Sequence, residues 1–156
     1  MINRLKSLLS SGPTTREQLA AFDNRQLALA VLLVEAAYID GTFDDIENLK
    51  IADLAKKSFD LNETEIADLI EVAATKQREA VDLVRFTRVI KDTFAPGERV
   101  QVIEMLWEVV YADGRVDDFE ANLMRRLGGL LYVSDHDRGV AQKRVAARLA
   151  TDGADN

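Results

Sequence analysis

The stretch Glu35-Ala-Ala-Tyr-Ile-Asp-Gly-Thr-Phe-Asp-Asp-Ile-Glu47 recurs as Glu108-Val-Val-Tyr-Ala-Asp-Gly-Arg-Val-Asp-Asp-Phe-Glu120, at a constant offset of 73 residues (113 − 40 for the first Asp). Glu, Tyr, Asp, Gly, Asp, Asp and Glu match identically, and the apolar positions vary in kind only. An internal repeat constrains the fold more than any local propensity does. Each unit has an apolar face that it cannot bury alone, so the units must pack on one another.

At 156 residues the chain suits one domain with a proper core. The formal charge of −7 argues against nucleic-acid binding, which needs a clustered basic surface. The absence of cysteine excludes disulfides, thiolate metal sites and cysteine nucleophiles. The first ten residues lack the apolar core and cleavage site of a signal peptide. The longest apolar run, Leu27 to Ile39, carries Glu35 and falls short of the roughly 18 residues a bilayer requires. It is expected to be a buried helix, in a cytoplasmic protein or one at the inner membrane surface.

Apolar spacing is helical throughout. Ile2, Leu5, Leu8 and Leu9 mark an amphipathic N-terminal segment over 1–12, suited to docking on the bundle or grazing a membrane. The helical domain is expected over 13–150, with a polar tail at 151–156. Thr14 and Glu17 have capping-box spacing and open a helix towards Asp40 that a break near Asp23-Asn24 would divide. Asp44 with Glu47 opens a helix with Ile51, Leu54 and Ala55 inside; Asn62 with Glu65 opens one with Ile66, Leu69 and Ile70 inside. The stretch from about Glu79 to Phe94 buries some of Val81, Leu83, Val84, Phe86 and Val89. Pro96 suits the first turn of a helix with Val100, Ile103, Trp107 and Val110 on one face. Asp117 with Glu120, and Ser134 with Asp137, open the last two helices. The expected fold is an all-α, single-domain bundle of seven or eight helices with an internal pseudo-twofold repeat and two helix-turn-helix units.

Capping explains much of the repeated element. Gly41 and Gly114 can take the left-handed conformation that ends a helix. Asp44 and Asp117 can cap the next helix, with Glu47 and Glu120 closing the box. Capping does not explain Asp40 and Asp113, each at a helix C-terminus where the macrodipole is already negative, at a cost of about 0.3–1 kcal/mol unless a cation neutralises it. Free carbonyls and further carboxylates nearby are what hard divalent cations favour. The cation can instead be a side chain, with Lys50, Lys56, Arg115, Arg125 and Arg126 available. The element is not an EF-hand, because Gly directly follows the first Asp. Glu35 and Glu108, five residues earlier, lie about 140° around the helix and rank behind the others, as do Asp45 and Asp118.

Asp-Gly-x-x-Asp-x-x-Glu after a helix, occurring twice, resembles the tellurite-resistance TerB-like family. The run Glu98 to Glu120 is particularly similar to an uncharacterised bacterial TerB-like branch, and Phe86-Thr87 and Leu130-Leu-Tyr-Val-Ser134 fit it too. The resemblance covers roughly residues 25 to 147. It implies an all-α bundle with internal pseudosymmetry, and divalent-cation binding by Asp40, Asp44 and Glu47 and by Asp113, Asp117 and Glu120. In the first copy Ile39 replaces the usual Ala. The resemblance also implies a non-catalytic role in stress-linked complexes near the membrane; tellurite resistance itself does not follow.

The expected function is a non-enzymatic module that binds Ca²⁺, Mg²⁺ or Mn²⁺, uses no organic cofactor, and associates with protein partners. Its oligomeric state is left open. The alternatives are a metal-dependent hydrolase using the same carboxylates and a metal-free scaffold whose acids only cap helices. His136, the only histidine, lies in a polar run at a helix start and is expected to be solvated. The basic run Lys143-Arg144 with Arg148 is expected to be a solvated face. Gly128-Gly129 lacks the lysine and spacing of a phosphate-binding loop.

Overall fold

A computed structural model describes residues 23–38, 45–80, 82–113 and 118–154. The N-terminal segment with its Thr14–Glu17 pair, Val81, and both Asp-Gly turns lie outside these residues. Seven α-helices are described: α1 Asn24–Tyr38, α2 Asp45–Ser58, α3 Glu63–Glu79, α4 Val84–Thr93, α5 Pro96–Val110, α6 Asp118–Leu130 and α7 Asp135–Ala154, with a 3-10 turn Tyr111–Asp113 continuing α5. No strand occurs among the described residues, so the chain is an all-α bundle.

The helix starts follow the capping chemistry. α1 opens at Asn24, where Gln26 N donates to Asp23 Oδ1 at 2.8 Å and Asp23 N donates to Gln26 Oε1 at 3.3 Å. This reciprocal cap starts α1 at the position of the expected break; the helix expected before it lies outside the described residues. α3 opens on a complete box, with Glu65 N donating to Asn62 Oδ1 at 2.8 Å and Asn62 N to Glu65 Oε1 at 3.0 Å. Pro96 stands in the first turn of α5. Asp137 N donates to Ser134 Oγ at 3.1 Å at the start of α7. That helix runs to Ala154, past the expected fading near Ala150.

The helix order repeats more deeply than the sequence motif does. The offset of 73 carries α1, α2 and α3 onto α5, α6 and α7 within about two residues at each end, the last residues of α7 included. Each unit therefore has three helices, not the two expected, and α4 joins them by packing on α1 and α6. Buried positions match across the halves: Leu29 with Val102, Leu33 with Leu106, Val34 with Trp107, Ile51 with Met124, Leu54 with Leu127, and Val72 with Val145. α1 packs against α2, α3, α4 and α5, and so buries almost all of its circumference, from Ala28 to Val34 and at Ala36 and Ala37. A helix apolar all round needs such a central position. Of the residues expected inside around α4, Leu83 and Phe86 are buried, Val89 is half-buried and Val84 is exposed.

α6 ends in a Schellman motif, in which Val133 N donates to Gly128 O at 2.9 Å and Tyr132 N to Gly129 O at 3.2 Å. The residue in the left-handed conformation is Tyr132, with φ 57°, at a position where glycine is usual. Lys91 Nζ lies 4.9 Å from the centroid of its ring. Gly128 has a packing role, since a Cβ there would meet Arg138 Cδ at 3.2 Å.

Candidate metal-binding turns

Each acidic turn is bracketed by the first and second helices of its half. The described residues give the two ends of each bracket. Tyr38 closes α1, and the 3-10 turn extends α5 to Asp113. Asp113 thus sits at a helix end where carbonyls lose their intrahelical partners. Glu47 and Glu120 occupy the third positions of α2 and α6 and are both 6% exposed. Asp45 and Asp118 open these helices and are solvent-exposed. Asp40, Asp44, Asp117, Gly41 and Gly114 lie outside the described residues, as does the side chain of Asp113.

A buried carboxylate needs partners, and neither Glu47 nor Glu120 is without an interaction. Glu65 offers an internal standard. It holds the same third position in α3, is 7% exposed, and is satisfied by its capping box alone. Burial at this position is therefore what a capping glutamate gives, with or without a cation. Among the described residues no cluster of three or more metal-ligating side chains occurs.

Glu35 and Glu108 each join two helices. Gln77 Nε2 donates to Glu35 Oε2 at 2.7 Å, linking α3 to α1. Arg148 Nη2 donates to Glu108 Oε1 at 2.7 Å, linking α7 to α5. In both halves this glutamate fastens the first helix to the third. Around Glu108 the link grows into a network, because Arg144 lies 3.3 Å and Arg148 3.7 Å from the carboxylate of Glu104. The face carrying Arg144 and Arg148 is exposed, as expected, and both guanidinium groups also reach α5. The reason is the buried acid at Glu104, which sequence inspection passed over. Its signal was available in Glu104 and Glu108, four apart on α5, opposite Arg144 and Arg148, four apart on α7.

The other candidates resolve simply. His136 is exposed in the first turn of α7. Trp107 is 2% exposed, stacked at a tilt against Tyr111 with centroids 5.8 Å apart, and its Nε1 has no hydrogen-bond partner. Asp68 on α3 has a buried, unpartnered Oδ2. Desolvation, reinforced by Glu71 and Glu65, pushes its carboxyl above the ordinary value of 3.8. Among the described residues no helix is long and apolar enough to cross a membrane.

Neither a curated protein nor a solved structure shows a significant match to the chain. The family described as tellurite resistance protein TerB does match, over residues 26–143, a span that runs from the first turn of α1 into α7 and contains both acidic turns. That match covers most of the sequence, and the chain belongs to the TerB family.

Proposed function

We propose that this TerB domain is a non-enzymatic binding module whose duplicated acidic turns take up a hard divalent cation, Ca²⁺, Mg²⁺ or Mn²⁺, and thereby tune its association with protein partners in a stress response. The observation that carries the reading is the recurrence of an Asp-Gly pair at the same point of both repeats, with Asp40 two residues beyond Tyr38 in the chain and Asp113 at the end of the 3-10 turn that continues α5. Capping gives no reason for Asp40 and Asp113, and the macrodipole opposes them. The donor set fits a hard cation: Asp40, Asp44 and Glu47 in one half, and Asp113, Asp117 and Glu120 in the other, are all oxygen donors. Glu47 and Glu120 stand at the N-termini of α2 and α6, where negative charge is favoured in any case. The cation's contribution would be to neutralise the acids at the opposite helix end and fix the turn between the two helices.

The test is calorimetric titration of each cation, with melting temperature followed in parallel. Binding to the folded state raises the melting temperature in a concentration-dependent way. The wild type should respond, and the double variant Asp40→Asn, Asp113→Asn should not. No heat and no thermal shift in the wild type at millimolar cation would leave the acids as caps. Wild-type affinity in the double variant would move the ligands to other carboxylates.

A further inference from the structure

The two halves can be compared position by position, and one face differs sharply between them. α2 and α3 enclose an open groove of about 620 Å³. Its apolar lining includes Leu49, Ala52, Ile66 and Ile70. At the offset of 73 the second half has Asn122, Arg125, Gly139 and Lys143 on α6 and α7. The second half thus shows what this face looks like when it meets water. The first half keeps the backbone arrangement but leaves Leu49 71% exposed at the edge of an apolar floor. Apolar surface of this kind is stabilised by being covered.

The charges around the groove narrow the choice of cover. Asp53, Glu63 and Glu71 line it with Lys56; Glu63 is paired with Lys56 at 3.4 Å and Asp53 with Lys57 at 3.1 Å, which leaves Glu71 as the lining acid with no ion pair among the described residues. A cover with apolar and basic residues is complementary to it. Outside the described residues, the start of the chain is such a segment. Its first 16 residues hold Arg4, Lys6 and Arg16 and no acid, so all 27 acidic residues follow them. Ile2, Leu5, Leu8 and Leu9 supply the apolar side.

Reach is sufficient. Asp23 and Arg25, at the start of α1, share a cavity with Lys57 and Ser58 at the end of α2. The adjacent Lys56 lines the groove. With residues 11–13 extended at about 3.3 Å each and 14–22 helical at about 1.5 Å each, the connection spans roughly 23 Å. The lining of α3 from Glu63 to Ala74 is only about 17 Å long at 1.5 Å per helical residue.

We propose that the N-terminal segment, residues 1–10, docks in the α2–α3 groove of its own chain, with its leucines on the apolar floor and Arg4 and Lys6 at the acidic rim. This inference is independent of cation binding. It makes the groove a protected surface, one that a partner could reach by displacing the segment.

The absence of native cysteine allows a direct test on the full chain. The variant Leu5→Cys, Ala67→Cys places one thiol in the segment and one at an exposed groove position. Leu5→Cys, Val140→Cys is the control, since Val140 is the exposed equivalent of Ala67 in the second half. Circular dichroism checks that both variants fold. Under mild oxidation the first pair should close an intramolecular disulfide roughly tenfold faster than the control, as docking raises the effective concentration. Adding Leu49→Glu, or replacing Arg4 and Lys6 by Glu, should remove that advantage. Equal rates in the two pairs would overturn the proposal. Disulfide-linked dimers from the first pair would also overturn it and assign the groove to a second copy. Sedimentation with phosphatidylserine vesicles that depends on residues 1–10, with no cross-linking advantage, would overturn it in favour of a membrane surface.

Discussion

Trp107 combines two opposing effects that substitution can separate. The ring is 2% exposed, on the α5 face that meets the core, and it replaces the Val34 of the first half. Truncation to Ala removes that packing and leaves a cavity, at a cost of about 3–5 kcal/mol. For a domain of this size each kcal/mol lowers the melting temperature by about 2–4 °C, so Trp107→Ala should melt roughly 6–20 °C lower. The indole N–H, however, is buried without a partner, a state that costs about 1–3 kcal/mol. Trp107→Phe loses only part of the ring, a loss of about 1–3 kcal/mol on the scale of core truncations. The two contributions nearly cancel, and Trp107→Phe should stay within about 1.5 kcal/mol of wild type. The assay is thermal and urea unfolding by circular dichroism, because the chain has no other tryptophan to report fluorescence. If Trp107→Phe were as destabilising as Trp107→Ala, the N–H would have to be satisfied and the reasoning would fail.

Glu104→Ala should cost about 1–2 kcal/mol at low salt, since it frees Arg144, 56% exposed, to return to water and leaves Arg148 held by Glu108 alone; urea midpoints that do not converge on the wild type at high salt would contradict the electrostatic account. Tyr132→Gly should raise stability by up to about 1 kcal/mol, as relief of the left-handed backbone outweighs the loss of Lys91 over an exposed ring; a lower melting temperature would show that the stack dominates. Asp68→Ala copies the Ala141 of the second half and should raise the melting temperature at neutral pH. Because burial raises the folded carboxyl above its ordinary 3.8, protonation favours the folded state: that contribution is complete below 3.8 and is lost as pH rises through the raised value. The advantage of Asp68→Ala should therefore shrink on acidification, and a gap that widens would reverse the assignment.

The amino-acid sequence by itself determined the helical class, the repeat, and most of the helix starts. These are local matters: a 3.6-residue apolar period, a Pro at the first turn, and side chains such as Asn62 and Glu65 that satisfy backbone groups three residues away. It also determined the family, because the identical positions of the acidic turns lie within short windows. It did not disclose the third helix of each repeat. α3 and α7 share a place in the fold but few residues, as Ile66 with Gly139 and Ile70 with Lys143 illustrate. What those positions must be depends on what covers them, which is a tertiary condition.

Only the folded arrangement decided the roles of the other acids and bases. Glu35 and Glu108 fasten helices because Gln77 and Arg148 arrive from about 40 residues away in sequence. Arg144, itself exposed, reaches Glu104 from 40 residues away, and neither residue has a local reason to be near the other. In chain order the two Asp-Gly pairs fall between the first two helices of each half. Their pairing of aspartate with a helix C-terminus is a local electrostatic conflict, legible in the chain before any fold is known. The apolar groove of the first half is the reverse case: it emerges only when two equivalent helix pairs are set side by side and one has Leu49, Ile66 and Ile70 where the other has Asn122, Gly139 and Lys143.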